Sequence, residues 1–132
     1  MKIQPAKIQV RLVDLDVLGH VNNTYYFTYF EMARIHYFRE LLGGDWDWQT
    51  FGMVLVRNEI DYIHSVLLHH EPEVVVYTES VGNKSFTLCY ELLVDGVVFA
   101  KGRSVQVAFN SRTHETIVLP EEMKEALRSL QR

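Results

Sequence analysis

A long segment without glycine or proline constrains the fold of this chain more than any other feature. It runs to Leu42, where Gly43-Gly44 supplies a stop signal of the C-cap kind. Three residues that can each cap a first helical turn precede it: Asn22, Asn23 and Thr24. Aromatic and apolar residues recur within it at spacings of three and four, but they spread beyond one narrow stripe. We therefore predict one long helix that is mostly surrounded by other elements.

Strand-like segments lie on both sides of this predicted helix. They are rich in β-branched and aromatic residues and are separated by turn residues, which is typical of strands. One alternating segment precedes the helix and four follow it, at 8–13, 53–63, 73–79, 85–94 and 97–109. Between the last two, Asp95-Gly96 is typical of a two-residue hairpin, because a type I′ turn requires positive φ. Pro120 and the two acids after it predict a short final helix that ends near Leu130.

The order of these elements predicts an α+β fold in a single domain, residues 1–132. Consecutive strands joined by short turns form an antiparallel sheet, and the long helix would then pack on one face of that sheet. A length of 132 residues is common for one domain. The chain shows no internal repeat, linker or low-complexity tract.

Charge and composition argue against several classes of protein. The net charge of -4 disfavours wholesale nucleic-acid binding, which usually shows a basic excess. Cys89 is the one cysteine, so no disulfide can form within the chain, and its strand-like surroundings favour a buried structural thiol. The N-terminus lacks the apolar stretch of a signal peptide, and no window approaches the ~18–20 apolar residues of a membrane span. We expect a cytoplasmic protein without membrane or nucleic-acid partners.

The segment before the helix carries the residues that are best suited to chemistry. Asp14 and Asp16 precede a helix start, where backbone N–H groups lack intrahelical partners and the helix dipole is positive. A carboxylate there should stay ionised at neutral pH, which suits a base or nucleophile, while the N–H groups suit an oxygen that acquires negative charge. Gly19 allows close approach of the backbone to a ligand. From these residues alone, capping and turn formation explain the segment better than catalysis does.

Residues 11–34 resemble the signature of a known family. The stretch Leu15-Asp-Val-Leu-Gly-His-Val-Asn-Asn23 precedes a tyrosine-rich helix with Glu31 and Ala33-Arg34. This pattern is similar to that of hotdog-fold acyl-CoA thioesterases in the 4-hydroxybenzoyl-CoA thioesterase-like superfamily, and most similar to the long-chain acyl-CoA thioesterase III type. The likeness continues more loosely through residues 60–63 and 82–85. It implies a hotdog fold, with a long central helix wrapped by five or six antiparallel strands, and a homodimer or homotetramer whose sheets join edge to edge.

The resemblance also implies roles for individual residues. Asp16 is expected to be the catalytic nucleophile or general base, and a backbone N–H at about Asn23 is expected to be the oxyanion donor. Asp14 is then a hydrogen-bonding residue of the loop. The residues expected to order the loop or contact substrate are Gly19, His20 and Tyr26. Because coenzyme A is part of the substrate, no cofactor is expected.

Candidates for contact with the coenzyme A phosphates lie outside this loop. Lys84 and Ser85 follow a turn that could meet phosphates, and an ordinary hairpin turn explains them equally well. Arg57, Lys101 and Arg103 are further candidates, each better explained as a solvated charge on a strand.

Three histidines invite comparison with a metal site: His64, His69 and His70. No cysteine and no paired histidine spacing on one helix supports that interpretation, so we take them as solvated loop residues and expect no metal. Many members of the family carry a basic residue and a proline where this chain has His64-Ser65. Since that region often lines the thioester-binding crevice, the substrate preference is expected to differ.

The function that this pattern predicts is hydrolysis of acyl-CoA, and in particular fatty acyl-CoA, to free acid and coenzyme A. The nearest alternative is a thioesterase that uses the same residues on an acyl carrier protein. A hotdog enoyl-CoA hydratase would need a catalytic Asp and His on a different loop pattern, and a non-catalytic acyl-CoA-binding protein would bind substrate without turnover.

Overall fold

The computed structural model describes residues 2–132, and within that range it contains six β-strands and two α-helices. In chain order these elements are β1 (Ala6–Lys7), α1 (Tyr25–Leu42), β2 (Gly52–Tyr62), β3 (Glu73–Val81), β4 (Ser85–Val94), β5 (Val97–Asn110), β6 (Glu115–Thr116) and α2 (Glu121–Ser129). A short 3₁₀ turn at Leu12–Asp14 lies between β1 and α1.

The strands form one antiparallel sheet in the order β1-β3-β4-β5-β2, and β6 pairs with the end of β5. Short turns join β3 to β4 and β4 to β5, as the sequence predicts. In the second of these turns, Asp95 and Gly96 have φ angles of 50° and 77°. Both angles are positive, so the predicted hairpin is confirmed.

Helix α1 lies across one face of the sheet and buries a broad aromatic surface against it. Phe30 stacks on Tyr90 of β4, with their ring centroids 4.7 Å apart. This close approach depends on Gly102 of β5, because a Cβ at that position would collide with the Phe30 ring. The buried side chains of α1 are Tyr26, Tyr29, Phe30, Ala33, Tyr37 and Phe38. The predicted α+β hotdog architecture, one long helix against a six-stranded antiparallel sheet, is confirmed.

The predicted strand at residues 8–13 is wrong. Strand β1 covers Ala6–Lys7 alone, and the chain then leaves the sheet edge in an extended conformation. The alternation that suggested a strand is real, because Ile8 and Val10 are buried in the core. Pairing ends after Lys7 because the partner strand β3 begins at Glu73, and the last bond along this edge runs from the Ile8 N–H to the Pro72 carbonyl oxygen at 2.9 Å. Farther along, Asp14 accepts hydrogen bonds from the backbone and side chain of Arg11, which close the 3₁₀ turn.

The expectation that α1 is mostly surrounded holds for most of the helix, and six of its eighteen residues are exposed within a single chain. The helix begins at Tyr25 and ends at Leu42 before Gly43, as predicted, but Ile35 on its outer side is 59% exposed. Met32 is also exposed on that side. The sheet curls around one side of the helix and leaves the other open beside strand β2. No α-helix in residues 2–132 is both long and apolar enough to cross a membrane.

Candidate active site

A tight loop between the 3₁₀ turn and α1 presents Asp16. Leu15 and Val21 form a β-bridge that closes the loop, and the Asp16 N–H donates to the carbonyl oxygen of His20 at 2.8 Å. The chain reverses at Gly19, whose φ of 78° is a conformation that favours glycine. The glycine of the motif therefore shapes the turn that holds the carboxylate.

The carboxylate of Asp16 is half-buried and is held by one of its two oxygens. Its Oδ1 accepts hydrogen bonds from the backbone N–H of Leu18 at 2.9 Å and of His20 at 3.3 Å. Its Oδ2 receives no hydrogen bond from any group in residues 2–132. The loop thus orients the carboxylate and leaves one oxygen available for a reacting group.

Asp14, two residues earlier, has a different role. Its side chain is fully buried and accepts four hydrogen bonds: one from the Tyr29 hydroxyl at 2.6 Å and three from Arg11. Burial alone would raise the pKa of Asp14, but the hydrogen bonds from Tyr29 and Arg11 outweigh it and hold that pKa below its usual value. The Asp14 carbonyl oxygen also accepts from the Asn22 N–H. The prediction that Asp14 orders the loop through hydrogen bonds is confirmed.

The backbone N–H groups at the start of α1 differ in whether they have an acceptor. The N–H groups of Asn22, Thr24 and Tyr25 donate to the Asp14 carbonyl, to Asn22 Oδ1 and to the Asn22 carbonyl, respectively. The N–H of Asn23 donates to no atom in residues 2–132. Thr24 occupies the N-cap position without a side-chain cap bond, and its N–H and its hydroxyl both donate to Asn22 Oδ1. An N–H without a partner in residues 2–132 is therefore present where the resemblance assigned the oxyanion donor.

A cavity of about 230 Å³ connects the carboxylate and the helix start. Its lining residues are Asp16, His20, Val21, Asn23, Tyr26, Tyr62, Ile63, His64 and Ser65. Asp16, His20, Asn23 and Tyr26, all proposed from the sequence, thus share one cavity. Gly19 forms the turn behind Asp16 and is not among the lining residues. The cavity therefore holds a carboxylate and an unpaired N–H donor. Nucleophilic attack on a carbonyl carbon requires both of these groups.

Tyr26 belongs to the hydrophobic core and does not offer its hydroxyl to the cavity. Its side chain is 3% exposed, and its hydroxyl accepts a hydrogen bond from the Val66 N–H at 3.3 Å. Its ring meets the edge of the Tyr62 ring, with centroids 4.9 Å apart. Tyr26 therefore forms the wall of the cavity and leaves its hydroxyl engaged elsewhere.

Tyr62 is the site residue that sequence reasoning missed. It ends strand β2, pairs with Ala100 and points to the side of the sheet that faces α1. Its hydroxyl donates to the carbonyl oxygen of Asn23 at 2.9 Å. Burial raises the pKa of Tyr62, so the phenol keeps its proton at neutral pH. The alternation in residues 53–63 indicated which face Tyr62 occupies, but its contact with the helix start lies outside any local pattern.

The histidines lie in the segment that closes the cavity. His64 and His70 pack around the Phe99 ring, with centroids 5.1 and 5.4 Å away. His70 Nδ1 accepts a hydrogen bond from the Leu67 N–H at 2.9 Å, while His69 is exposed. Within residues 2–132, no three His, Cys, Asp or Glu side chains come close enough to hold a metal ion.

The predicted coenzyme A contacts lie away from this cavity in the same chain. Ser85 pairs with Val107, near the Gly52 end of the sheet, whereas Tyr62 and the cavity lie at the other end. Strand β2 separates the two ends by about 30 Å. One chain therefore does not bring Lys84 or Ser85 to Asp16.

The other basic candidates lie on the outer face of the sheet, opposite α1. Arg57 forms an ion pair with Glu59 at 3.0 Å. Arg103 forms ion pairs with Glu59 at 3.1 Å and Glu79 at 2.7 Å, and Lys101 is exposed beside them. The interpretation of Lys101 and Arg103 as charges of the strand surface is confirmed, and Arg57 is separated from Asp16 by the sheet.

Cys89 belongs to this outer face as well. Its thiol is buried, and Sγ lies 3.9 Å from Glu79 Oε1. Burial, followed by the charge of Glu79, raises the pKa of the thiol. The prediction of a buried structural cysteine is therefore confirmed.

The sequence of this chain is similar to those of known proteins. The family model of the thioesterase-like superfamily matches residues 10–127. The uncharacterized protein YsmA of Bacillus subtilis (strain 168) is 34% identical over 123 residues, which are 92% of this chain and 82% of that protein. These matches span the loop, the helix and the sheet that form the cavity.

Two solved structures resemble the chain closely. A thioesterase of Thermus thermophilus, solved in complex with coenzyme A and Zn, superposes with a TM-score of 0.83 at 36% identity, over 96% of this chain and 92% of that one. A protein of Bacillus stearothermophilus, predicted to be a thioesterase, superposes with a TM-score of 0.86 at 32% identity, over 96% and 95% of the two chains.

Proposed function

The chain belongs to the thioesterase-like superfamily and is a thioesterase, and from that premise we propose that it hydrolyses acyl-CoA with Asp16 as the catalytic carboxylate. The observation that carries this proposal is that Asp16 and the Asn23 N–H line the same cavity. Asp16 has one carboxylate oxygen without a hydrogen-bond donor within residues 2–132, and Asn23 has an N–H without an acceptor there.

Two routes lead from this arrangement to the same products. In one, Asp16 attacks the thioester carbonyl carbon, the C–S bond breaks, and water then hydrolyses the resulting anhydride. In the other, Asp16 takes a proton from a water molecule that attacks the same carbon. In both, the carbonyl oxygen becomes an oxyanion and accepts a hydrogen bond from the Asn23 N–H. Coenzyme A departs as a thiolate, which is a good leaving group and needs no strong general acid.

The carrier and the acyl group follow from separate observations. The T. thermophilus thioesterase, 36% identical to this chain, was solved with coenzyme A, and this favours coenzyme A over an acyl carrier protein as the carrier. A second cavity, of about 450 Å³, runs between α1 and β2 and is lined in part by Ile35, Phe38, Trp48, Met53 and Leu55. Such a mostly apolar groove suits a fatty acyl chain. Because Met53 and Leu55 lie toward the Gly52 end of β2, away from the Asp16 cavity of the same chain, the acyl chain would meet the groove of a second copy. This supports the long-chain acyl-CoA thioesterase III type as the relevant branch.

The functional unit that we propose is a homodimer joined along β2. Strand β2 pairs with β5 on one side and, within residues 2–132, has no neighbour on its other edge. Val54, Leu55 and Val56 are exposed along it. An unpaired apolar edge of 11 residues favours pairing with another strand. The Asp16 cavity of about 230 Å³ is smaller than the roughly 300 Å³ of ordinary ligand pockets, so a second copy would also complete it.

Pairing of this kind would give Lys84 and Ser85 a role. In an antiparallel pair related by a two-fold axis, the Gly52 end of one β2 lies beside the Tyr62 end of the other. Lys84 and Ser85 lie toward the Gly52 end of their own sheet. The dimer would therefore bring these two residues of one copy toward the Asp16 cavity of the other, where the nucleotide end of coenzyme A could meet them.

The decisive experiment compares the wild type with Asp16→Asn on a panel of acyl-CoA and acyl carrier protein thioesters, with thiol release as the measurement. Asp16→Asn preserves shape and removes the negative charge, so kcat should fall by about 10³-fold or more. The matched control is Asp45→Asn, which makes the same change in an exposed loop and should leave kcat unchanged.

Each other outcome has a specific meaning. Near-wild-type turnover in Asp16→Asn contradicts the proposed role of Asp16. If thiol is released faster from acyl carrier protein thioesters than from acyl-CoA, acyl carrier protein is the preferred carrier instead of coenzyme A. Hydration of enoyl-CoA without thiol release indicates a hydratase, and tight acyl-CoA binding without turnover indicates a binding protein.

A further inference from the structure

We propose that Tyr62 is a positioning residue for the oxyanion donor: its hydroxyl aims the Asn23 N–H by holding the Asn23 carbonyl from the sheet. This inference rests on the proposed function. It adds a residue that makes no contact with the reacting atoms and acts through Asn23. The starting observation is the 2.9 Å hydrogen bond from the Tyr62 hydroxyl to the Asn23 carbonyl oxygen, between residues 39 apart in sequence.

The two peptide planes that flank Asn23 are both restrained. The plane before it carries the Asn23 N–H, and its carbonyl, from Asn22, accepts the Tyr25 N–H at 2.9 Å. The plane after it carries the Asn23 carbonyl, which accepts from Tyr62, and the Thr24 N–H, which donates to Asn22 Oδ1 at 3.0 Å. Planar peptides leave two soft dihedrals at Asn23, and fixing both neighbouring planes fixes both dihedrals. The direction of the Asn23 N–H is therefore determined by two bonds within the helix start and one bond from the sheet.

Without the Tyr62 bond, the plane after Asn23 would depend on an exposed bond within the helix start, from the Thr24 N–H to Asn22 Oδ1. Asn23 and Thr24 are exposed, and Thr24 makes no side-chain cap bond. Helix ends of this kind fray, because their first N–H groups have no partners in the helix. The bond from β2 therefore supplies rigidity at the point where catalysis requires a donor of fixed direction.

The Tyr62 ring is itself held in place. It meets the Tyr26 ring edge-on at 4.9 Å, and Tyr26 is anchored by its own hydroxyl to the Val66 N–H. The hydroxyl of Tyr62 is thus directed by packing toward the Asn23 carbonyl. Because Tyr62 ends the strand that we propose as the dimer edge, the same bond would connect the subunit interface to the oxyanion donor.

The test is Tyr62→Phe, which removes the hydroxyl and keeps the ring. We expect kcat on acyl-CoA to fall about tenfold, which is less than the hundredfold or more of losing a donor outright, while KM changes by less than about twofold. Hydrogen exchange at the backbone amides of residues 22–25 should quicken in the same variant. The matched control is Tyr77→Phe, a tyrosine of β3 on the outer face of the sheet that lies outside the Asp16 cavity. It should leave kcat, KM and exchange at residues 22–25 unchanged.

A second variant without the hydroxyl, Tyr62→Met, controls for a folding defect in Tyr62→Phe. We expect kcat to fall by the same factor in both variants. Wild-type kcat in either folded variant overturns the positioning role. A raised KM with unchanged kcat also overturns it, because the hydroxyl would then contact substrate. If Asp16→Asn is inactive while Tyr62→Phe is fully active, the proposed function stands and this inference alone fails. If Asp16→Asn is active, the proposed function itself fails.

Discussion

Asp14 and Asp16 are two residues apart and have opposite surroundings. Asp14 is 0% exposed and all of its hydrogen bonds come from groups of its own loop and of α1. Asp16 faces a cavity and has one oxygen without a donor in residues 2–132. A carboxylate whose oxygens are both occupied stabilises structure, whereas one with an unoccupied oxygen is available to a substrate. Asp14 therefore fixes the loop from which the half-buried Asp16 acts.

The bond between Tyr29 and Asp14 should make a measurable contribution to stability. Tyr29→Phe removes the 2.6 Å hydrogen bond to a fully buried carboxylate. Hydrogen bonds to charged groups contribute about 1.5–3 kcal/mol, so the free energy of unfolding should fall by about 2 kcal/mol at neutral pH. Urea denaturation measures this free energy of unfolding. A decrease smaller than about 0.5 kcal/mol would contradict the assigned role of this bond.

The same pair predicts the direction of the pH dependence. The pKa of Asp14 is lower in the folded chain than in the unfolded one, so its stabilisation is complete above the unfolded pKa and is lost as the pH falls through the folded pKa. The stability difference between wild type and Tyr29→Phe should therefore be largest near neutral pH and should shrink in acid. A difference that grows in acid would contradict this assignment.

At the scale of elements, the packing of α1 on the sheet depends on a glycine of β5, Gly102. Phe30 lies over Gly102 of β5 and stacks on Tyr90 of β4. This contact sets the height of the helix above the sheet. Because α1 begins next to Asp16, the same height sets the distance between the helix start and the loop.

Gly102→Ala should disturb that packing. The added methyl would collide with the Phe30 ring, and overpacking of this kind costs about 1–3 kcal/mol. Thermal unfolding should show a lower midpoint for this variant. Gly44→Ala is the matched control, because a Cβ at Gly44 meets nothing within 4 Å and should leave the midpoint unchanged. Equal midpoints for both variants would show that α1 can shift without cost.

At the scale of the whole molecule, the unpaired edge of β2 decides the expected assembly. The opposite edge of the sheet is covered, because β1 pairs with β3 and the Thr78 N–H donates to the Leu130 carbonyl at 3.1 Å. The edge of β2 has no such cover within residues 2–132. Within residues 2–132, the edge of β2 is therefore the longer unpaired edge of the sheet.

Val56→Lys tests the proposed dimer. Val56 is 58% exposed and lies at the bulge where β2 pairing with β5 shifts, so its replacement leaves that pairing intact. A lysine there would place like charges together across the two-fold axis. In sedimentation, the wild type should have twice the 15.5 kDa mass of one chain, and the variant the mass of one chain.

The control for the dimer test is Val97→Lys, which changes an equally exposed valine in the hairpin between β4 and β5. It should remain a dimer. A dimeric Val56→Lys variant would show that the copies join elsewhere. A monomeric variant with full activity would show that each chain holds a complete site.

The sequence by itself determined the elements and the loop. The absence of glycine and proline before Leu42 sufficed for α1, and Asp95-Gly96 sufficed for the hairpin, because helix stops and tight turns depend on neighbouring residues. The resemblance in residues 11–34 sufficed to choose Asp16 over Asp14 as the candidate, and the buried network around Asp14 agrees with that choice. The local pattern failed at residues 8–13, because the neighbouring strand β3 begins at Glu73 and leaves the alternating run after Lys7 without a partner strand.

Only the tertiary structure decided what the loop faces. It placed Tyr62 against Asn23 across 39 residues of sequence, and it placed Lys84 and Ser85 toward the far end of the sheet from Asp16. It also left β2 and one side of α1 uncovered. These relations depend on strand order and register, which bring together residues that share no local pattern. A sequence pattern predicts turns and the periodicity of helices and strands, but the distances between these elements are set only when the elements pack.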